Sequence, residues 1–534
     1  MNLPVTIGMW LLAVLPIVLL LYLMVGRGWG AYKAAPVGLV IALINGLIFY
    51  RANLPLISSE VLKGAWNTLS VLLVVWPAIL LYEVVNESKA FIVFRQELKR
   101  LTPNELLQIL AIGWVFVSFL QGITGFGVPV AVGAPILLGL GVKPIYAVII
   151  PLLGHAWAGT FGTLAVAWDA LVLQTNLLAM PEQLLQTGLW AGIFIWIYNS
   201  SAAILICWFY GKWEGVKKGS RAVALISLIQ GGGQLLLTQI NTTLAAFLPA
   251  TIGLVVILLL NKTKAYGTEW NIEASPIMSR EDQRESGESY PQEMGMHQAF
   301  FPYYALTLIT LLVLLIRPLN RFLNQWAISL SFQETRTAYG FVNPEVIGYS
   351  PITPLTHAGL FLLLAAIIGY FYYLRNGWLA RTSSQGILRR SIQKTIPPGL
   401  AILGFIIMSR IMGGTGQTYV LAQGIAITLG VSYVIFSPLV GLLGAFMTSS
   451  NMSSNILFGG FQLTIAELLG VNGAKIVAAQ TAGGTVGTAL TPGSIVLGAT
   501  TAGIMGQEGK ILKKLLPIGA ILALIIGALV YISL

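Results

Sequence analysis

Apolar residues run through this chain in stretches of membrane length separated by short polar loops, from 5–25 and 35–50 near its start to 474–506 and 515–533 near its end. Each stretch is long enough, alone or as a broken pair, to cross about 30 Å of hydrocarbon. The pattern predicts an all-α polytopic membrane protein with roughly 12 to 14 membrane elements. Composition agrees, since 56% of the residues are hydrophobic and only 9% are charged, far from an ordinary water-exposed domain. No basic segment precedes the run over 5–25 and no small-residue cleavage site follows it before Arg27, so it reads as a first span and not as a signal peptide.

Two of these regions are interrupted by polar and glycine positions. The first reads Phe119-Leu120-Gln121-Gly122-Ile123-Thr124-Gly125-Phe126-Gly127-Val128-Pro129. Backbone at membrane depth must satisfy its own hydrogen bonds, so such a segment survives only where it lines a cavity. The second break is Thr448-Ser449-Ser450-Asn451-Met452-Ser453-Ser454-Asn455, with hydroxyl or amide side chains at seven of eight positions. Eight successive positions cover every face of a helix, so helix packing on one face does not account for them all. We expect re-entrant hairpins near 119–140 and 444–470. A half-helix N-terminus offers free N–H groups and a positive dipole end, which suit a carboxylate without a charged side chain. Gly122, Gly125 and Gly127 let backbone approach a ligand, and Pro129 suits the first turn of the following helix. The site this predicts is small, neutral to positive and rich in hydroxyl-bonding groups, and it fits a small hydroxylated carboxylate.

The polar stretch 262–298 divides the chain into an N-terminal membrane repeat, 1–261, and a C-terminal one, 299–534, and reads as a flexible loop between them. A second polar stretch, 317–355, reads as holding a short surface helix. Gly159-Thr160-Phe161-Gly162-Thr163 in the first half is matched by Gly484-Thr485-Val486-Gly487-Thr488 in the second. Each follows a Gly-Val pair, Gly141-Val142 or Gly470-Val471, which in turn follows a polar break. Matched interruptions in two halves point to a site at the interface of two inverted-topology repeats, with scaffold and transport parts.

Net charge, +11, changes the picture less than it would for a water-exposed protein. The cations sit in short loops, for example Arg27 and Lys33, Lys212, Lys217 and Lys218, and Arg389, Arg390 and Lys394, and loops of that kind stay in the cytoplasm. An uncharged start followed by Arg27 and Lys33 places the N-terminus outside. No aromatic-interleaved basic patch argues for nucleic acid. Cys207 is the only cysteine and no metal-spaced His/Cys set exists, so the sequence implies no metal site and no cofactor. His155, His297 and His357 lack a triad-like context, which argues against an intramembrane enzyme. Among the remaining ionisable residues, Arg410 either snorkels to the interface or faces a cavity as a counter-ion. Asp169 and His155 flank the first Gly-Thr-x-Gly-Thr and are candidate proton carriers; the alternatives are a solvated helix end and a packing residue. Glu83 and Glu467 are expected to face water or the interface.

The first break with its Gly-Phe-Gly-x-Pro, the second with Ser-Ser-Asn ahead of Ile456-Leu457-Phe458, and the stretches Gly139 to Pro144 and Gln480 to Gly484 resemble the signature regions of the bacterial L-lactate permease family. The resemblance covers most of the chain and is weakest in the central loops. It implies a permease of the cytoplasmic (inner) membrane, moving L-lactate or a related 2-hydroxymonocarboxylate such as glycolate by proton symport. With the two breaks, it gives an expected substrate site of Gln121, Gly122, Thr124, Gly125 and Gly127 from the first, Thr448, Ser450, Asn451, Ser453, Ser454 and Asn455 from the second, and Gln480, Thr481 and Arg410 as further substrate-binding residues. Three positions depart from the family pattern: Gln121 stands where members have Glu, Asn451 where they have Asp, and Thr488 where they have Lys. These neutral residues remove proton sites and leave a uniporter or anion channel for small carboxylates, with weakened proton coupling, as the alternative.

Overall fold

The computed structural model describes residues 3–27, 29–99, 102–125, 127–279 and 294–534, so Phe126 of the first break and 280–293 of the central loop lie outside the described residues. Among the described residues ten helices are long and apolar enough to cross a membrane, or twelve if each of two bent pairs counts as one span. One of the ten, Pro181–Thr238, turns back on itself at Gly211 and Lys212, whose backbone leaves the helical region. Ser200 and Ser227 prove the reversal, because their hydroxyls are 2.6 Å apart, whereas a straight helix would separate them by about 40 Å at 1.5 Å per residue.

The elements that position the site are α1 (Leu54–Glu87), α2 (Glu105–Ile123), α3 (Val128–Leu138), α4 (Pro144–Gly159), α5 (Gly162–Thr175), α6 (Ser383–Gly414), α7 (Tyr433–Thr448), α8 (Asn451–Leu469), α9 (Gly473–Thr488) and α10 (Pro492–Thr501). Local sequence accounts for their starts. Asn53 caps α1 by accepting from the Leu56 N–H, with Pro55 in the first turn; Ser450 caps α8 and Asn472 caps α9 in the same way. Helices α1 and α6 pack on each other and on Ala31–Phe49 and Ala358–Arg375, forming one group. The second group joins α2 to α5 with α7 to α10, Pro181–Thr238 and Glu508–Ile532. Each group draws helices from both sides of 262–298.

The same order of elements recurs in the second group. Helix, break, helix, Gly-Val, helix, break, helix describes α2 to α5 through Gly141-Val142, and α7 to α10 through Gly470-Val471. The two Gly-Thr-x-Gly-Thr motifs fall at the second break of each series, but they differ in conformation. The stretch after Gly159 unwinds, with Thr163, Leu164 and Ala165 all left-handed (φ 49°, 53° and 71°), and α4 and α5 meet at 52°. Its counterpart stays helical to Thr488 and breaks only over 489–491.

Two loop expectations are revised. Residues 262–279 are docked and not free: Tyr266 and Ile277 are buried, the Lys143 N–H donates to the Ile277 carbonyl at 2.8 Å and the Ser279 N–H to that of Gly141 at 2.7 Å. Apolar side chains in a polar-looking segment drive that docking. The stretch 317–355 does hold a short helix, Arg317–Leu323, but continues as two antiparallel strand pairs, the longer one joining Ile328–Phe332 to Val346–Ile352.

Candidate functional site

The two chain breaks converge on the unwound start of α5. A Cβ added to Gly125 would stand 2.5 Å from the Thr163 hydroxyl oxygen, and one added to Gly162 would stand 2.6 Å from the Gln121 carbonyl oxygen, so glycine is needed for these two segments to touch. From the other side Asn451, the first residue of α8, donates through Nδ2 to Thr160 Oγ1 at 3.0 Å and lies 3.3 Å from both Thr485 Oγ1 and the Thr481 carbonyl. Asn455, one turn further on, donates to the Ala167 carbonyl at 2.9 Å and to Thr481 Oγ1 at 2.8 Å. These bonds hold three left-handed residues, each of which costs roughly 1–2 kcal/mol without glycine.

Between this assembly and the α1–α6 pair lies a cavity of about 570 Å³, within the usual range for small-molecule sites. Both breaks reach it. Gln121, Thr124, Gly125 and Gly127 line it from the first, and Thr448, Ser450, Asn451 and Ser453 from the second. Helix α1 contributes Tyr82 to the opposite wall, and α6 contributes Lys394, Pro397 and Pro398.

The expected site residues divide by what their polar atoms already do. Gln121 and Ser453 reach the cavity with side chains that make no hydrogen bond among the described residues. Ser450 Oγ is taken by the Ser453 N–H at 3.3 Å and the Ser450 carbonyl by the Ser454 N–H at 3.1 Å, leaving the Asn451 and Met452 N–H groups at a helix N-terminus on the cavity wall. Thr448 and Thr124 turn their hydroxyls back to the carbonyls of Gly444 and Leu120, at 2.8 and 3.0 Å. Ser454, Asn455, Gln480 and Thr481 do not line the cavity. They are fully buried behind it, where Gln480 Nε2 donates to Ser454 Oγ at 3.0 Å and Gln462 Nε2 to Gln480 Oε1 at 3.0 Å. Gly122 packs against the backbone of Phe247 and is also off the wall.

The ionisable candidates separate as clearly. Arg410 is a counter-ion, but to protein: its Nη2 is 2.7 Å from Glu60 Oε2, Lys63 Nζ is 2.7 Å from Glu60 Oε1, and the Tyr349 ring covers both cations. Arg410 therefore does not reach the cavity. Asp169 is exposed on α5 and lies outside the cavity wall. His155 does line it, with Nδ1 2.6 Å from the Pro151 carbonyl. Donation from Nδ1–H to that carbonyl leaves Nε2 as the nitrogen available to the cavity.

Glu83 corrects an expectation. It is 1% exposed and paired with Arg390 and Lys394, because α6 carries its cations inward beside α1 instead of ending before them. Lys394, Thr163 and Ser494 line the cavity although the sequence did not mark them as site residues. Thr163 and Ser494 sit at the second breaks of the two series, a signal the matched motifs carried. Lys394 read as loop charge.

The family model described as L-lactate permease matches residues 9–534. The chain belongs to the L-lactate permease family. This family member is 27% identical to the L-lactate permease of Halalkalibacterium halodurans, over 98% of its own length and 95% of that protein. It is 25% identical to the glycolate permease GlcA of Escherichia coli strain K12, over 97% and 94% of the two chains. Among solved structures it is similar to the Alcanivorax borkumensis YdaH transporter, with a TM-score of 0.45 and 12% identity over 87% of this chain and 84% of that one. Family membership and the apolar helices make this L-lactate permease family member a multi-pass membrane transporter.

Proposed function

We propose that this permease moves L-lactate or a related small 2-hydroxymonocarboxylate such as glycolate across the cytoplasmic membrane, with the cavity between the two chain breaks as its substrate site. The observation that carries the reading is the arrival of both breaks, with the N-terminus of α8 and the free side chains of Gln121 and Ser453, on one cavity. The carboxylate is held by the Asn451 and Met452 N–H groups at the positive end of α8. The 2-hydroxyl bonds Gln121, Ser453 or Thr163. In this reading the breaks are tips of re-entrant hairpins in two inverted repeats, the second helix group is the moving part and the α1–α6 group the scaffold. The end of α6 that carries Arg389, Arg390 and Lys394 faces the cytoplasm by the positive-inside rule, which puts the cavity mouth on that side and the N-terminus outside.

Coupling runs by proton symport, with His155 Nε2 as the proton acceptor on the cavity wall. A second reading, uniport, is favoured by the cavity lining, which holds no Asp or Glu among the described residues. Counterflow in proteoliposomes with an imposed pH gradient decides between them. Trans-stimulated L-lactate exchange with accumulation driven by the gradient supports symport, exchange without accumulation supports uniport, and flux without trans-stimulation contradicts a carrier altogether.

A further inference from the structure

The wall of the cavity opposite the breaks carries one fully cationic side chain among the described residues, Lys394. Lys394 stands about 12 Å along α6 from Ile402, at 1.5 Å per residue, and of the two lining residues Ile402 is 1% exposed while the Lys394 side chain is half exposed. Lys394 is therefore at the more open end of this wall, the mouth. Its Nζ lies 2.5 Å from Glu83 Oε1 and 5.1 Å from the centre of the Tyr82 ring, and its side chain is 51% exposed. Glu83, by contrast, is 1% exposed, and its other oxygen accepts from Arg390 Nε at 2.9 Å. Arg390 also reaches Glu87 Oε2 at 2.5 Å and does not line the cavity.

This asymmetry makes the pair exchangeable. A buried carboxylate stripped of every partner is strongly destabilised, but Glu83 keeps Arg390 when Lys394 leaves. Lys394 has the length and the exposure to swing into the cavity mouth, and Tyr82 offers its ammonium a ring face on the way. The anion-holding groups further along the wall are neutral, so the full positive charge that a carboxylate meets on the cavity wall is that of Lys394.

We propose that Lys394 is a carboxylate-collecting residue: it exchanges Glu83 for the incoming 2-hydroxymonocarboxylate at the mouth and releases it to the α8 N-terminus. The proposal rests on the permease reading above and adds a prediction of sidedness. In that reading Lys394 stands at the cytoplasmic end of the cavity, so it acts only on substrate arriving from that face.

The test is L-lactate exchange by native protein, Lys394→Gln, Lys394→Arg and Lys394→Gln combined with Glu83→Gln, measured in right-side-out and inside-out vesicles with melting temperatures in detergent. Lys394→Gln raises the half-saturation concentration about tenfold at the face the cavity opens to, on the scale of one charge-assisted hydrogen bond. The opposite face stays unchanged, Lys394→Arg restores most of the loss, and the rise persists in the double variant. High salt weakens apparent affinity in the native protein and much less in Lys394→Gln. A rise that is equal at both faces, or a lowered melting temperature with unchanged half-saturation that the double variant repairs, overturns the proposal and makes Lys394 a strut between α1 and α6. Absence of any saturable L-lactate exchange by the native protein removes the permease reading itself, and this proposal with it.

Discussion

Asn451 Nδ2 stands 3.0 Å from Thr160 Oγ1, and so ties the first turn of α8 to the unwound stretch before α5, across 291 positions of sequence. Thr160 Oγ1 is also 2.7 Å from Thr485 Oγ1 and 2.9 Å from Thr481 Oγ1, which makes its hydroxyl the common point of four side chains. The second break and α9 are joined to the unwound stretch through it. Thr160→Val, isosteric but without the hydroxyl, lowers unfolding free energy by about 1–3 kcal/mol by leaving buried partners unsatisfied. Thr160→Ser retains most of it. Thermal melting in detergent checks this, and equal melting of the valine variant and the native protein contradicts the arrangement.

Gln121 and Asn455 separate binding from stability. Gln121→Ala raises the half-saturation concentration for L-lactate about tenfold and leaves melting unchanged, because its amide is free to bond a ligand. Asn455→Ala does the reverse, losing about 1–3 kcal/mol of stability with the bonds to Ala167 and Thr481, while the half-saturation concentration holds. Measuring both quantities on both variants is the check; interchanged results refute the division.

The buried cluster of Glu60, Lys63 and Arg410 predicts an unequal response to removal of its members. Glu60→Gln leaves two cations without their shared carboxylate and destabilises by about 3–5 kcal/mol, the cost of breaking a buried pair. Arg410→Gln costs less, since Lys63 keeps Glu60. Neither changes half-saturation by L-lactate in protein that remains folded. A matching rise in half-saturation for Arg410→Gln returns Arg410 to the substrate site.

Ala165 is left-handed and buried, with φ 71°. Ala165→Gly relieves that strain while removing only a methyl group, so it raises stability by about 1 kcal/mol or holds it level. Ala165→Pro loses the N–H that bonds the Phe161 carbonyl at 3.0 Å and abolishes folding. Expression and melting of the two variants test whether the stretch is unwound as described.

Much of this site was legible because polar residues in an apolar run must either bond one another or line a cavity. Gln121, Thr124, Ser450, Asn451 and Ser453 could be read as cavity residues from hydropathy alone. What the sequence left open was how deep each polar atom lies: Ser454, Asn455, Gln480 and Thr481 look the same in a string of letters as Ser453, but they bond one another behind the wall. The motifs Gly159 to Thr163 and Gly484 to Thr488 were visible as a repeat, yet one is unwound and the other helical, since their neighbours and not their own residues set the backbone. Glu83 and Lys394 were misplaced for another reason. Hydropathy assigns charges to loops, and a helix of 32 residues such as α6 brings them inside beside an opposite charge.

Substrate protection of a thiol placed on the cavity wall tests whether L-lactate occupies the cavity that Gln121 and Ser453 both line. With Cys207, buried and the only cysteine, replaced by Ser, a Ser453→Cys variant that still exchanges L-lactate is treated with a charged methanethiosulfonate reagent across a range of L-lactate concentrations. L-lactate and glycolate are expected to suppress labelling, with half-protection at the concentration that half-saturates exchange, and a neutral alcohol of the same size is expected to leave it unchanged. Labelling at a rate indifferent to L-lactate, in vesicles where exchange is saturated, would contradict that occupancy.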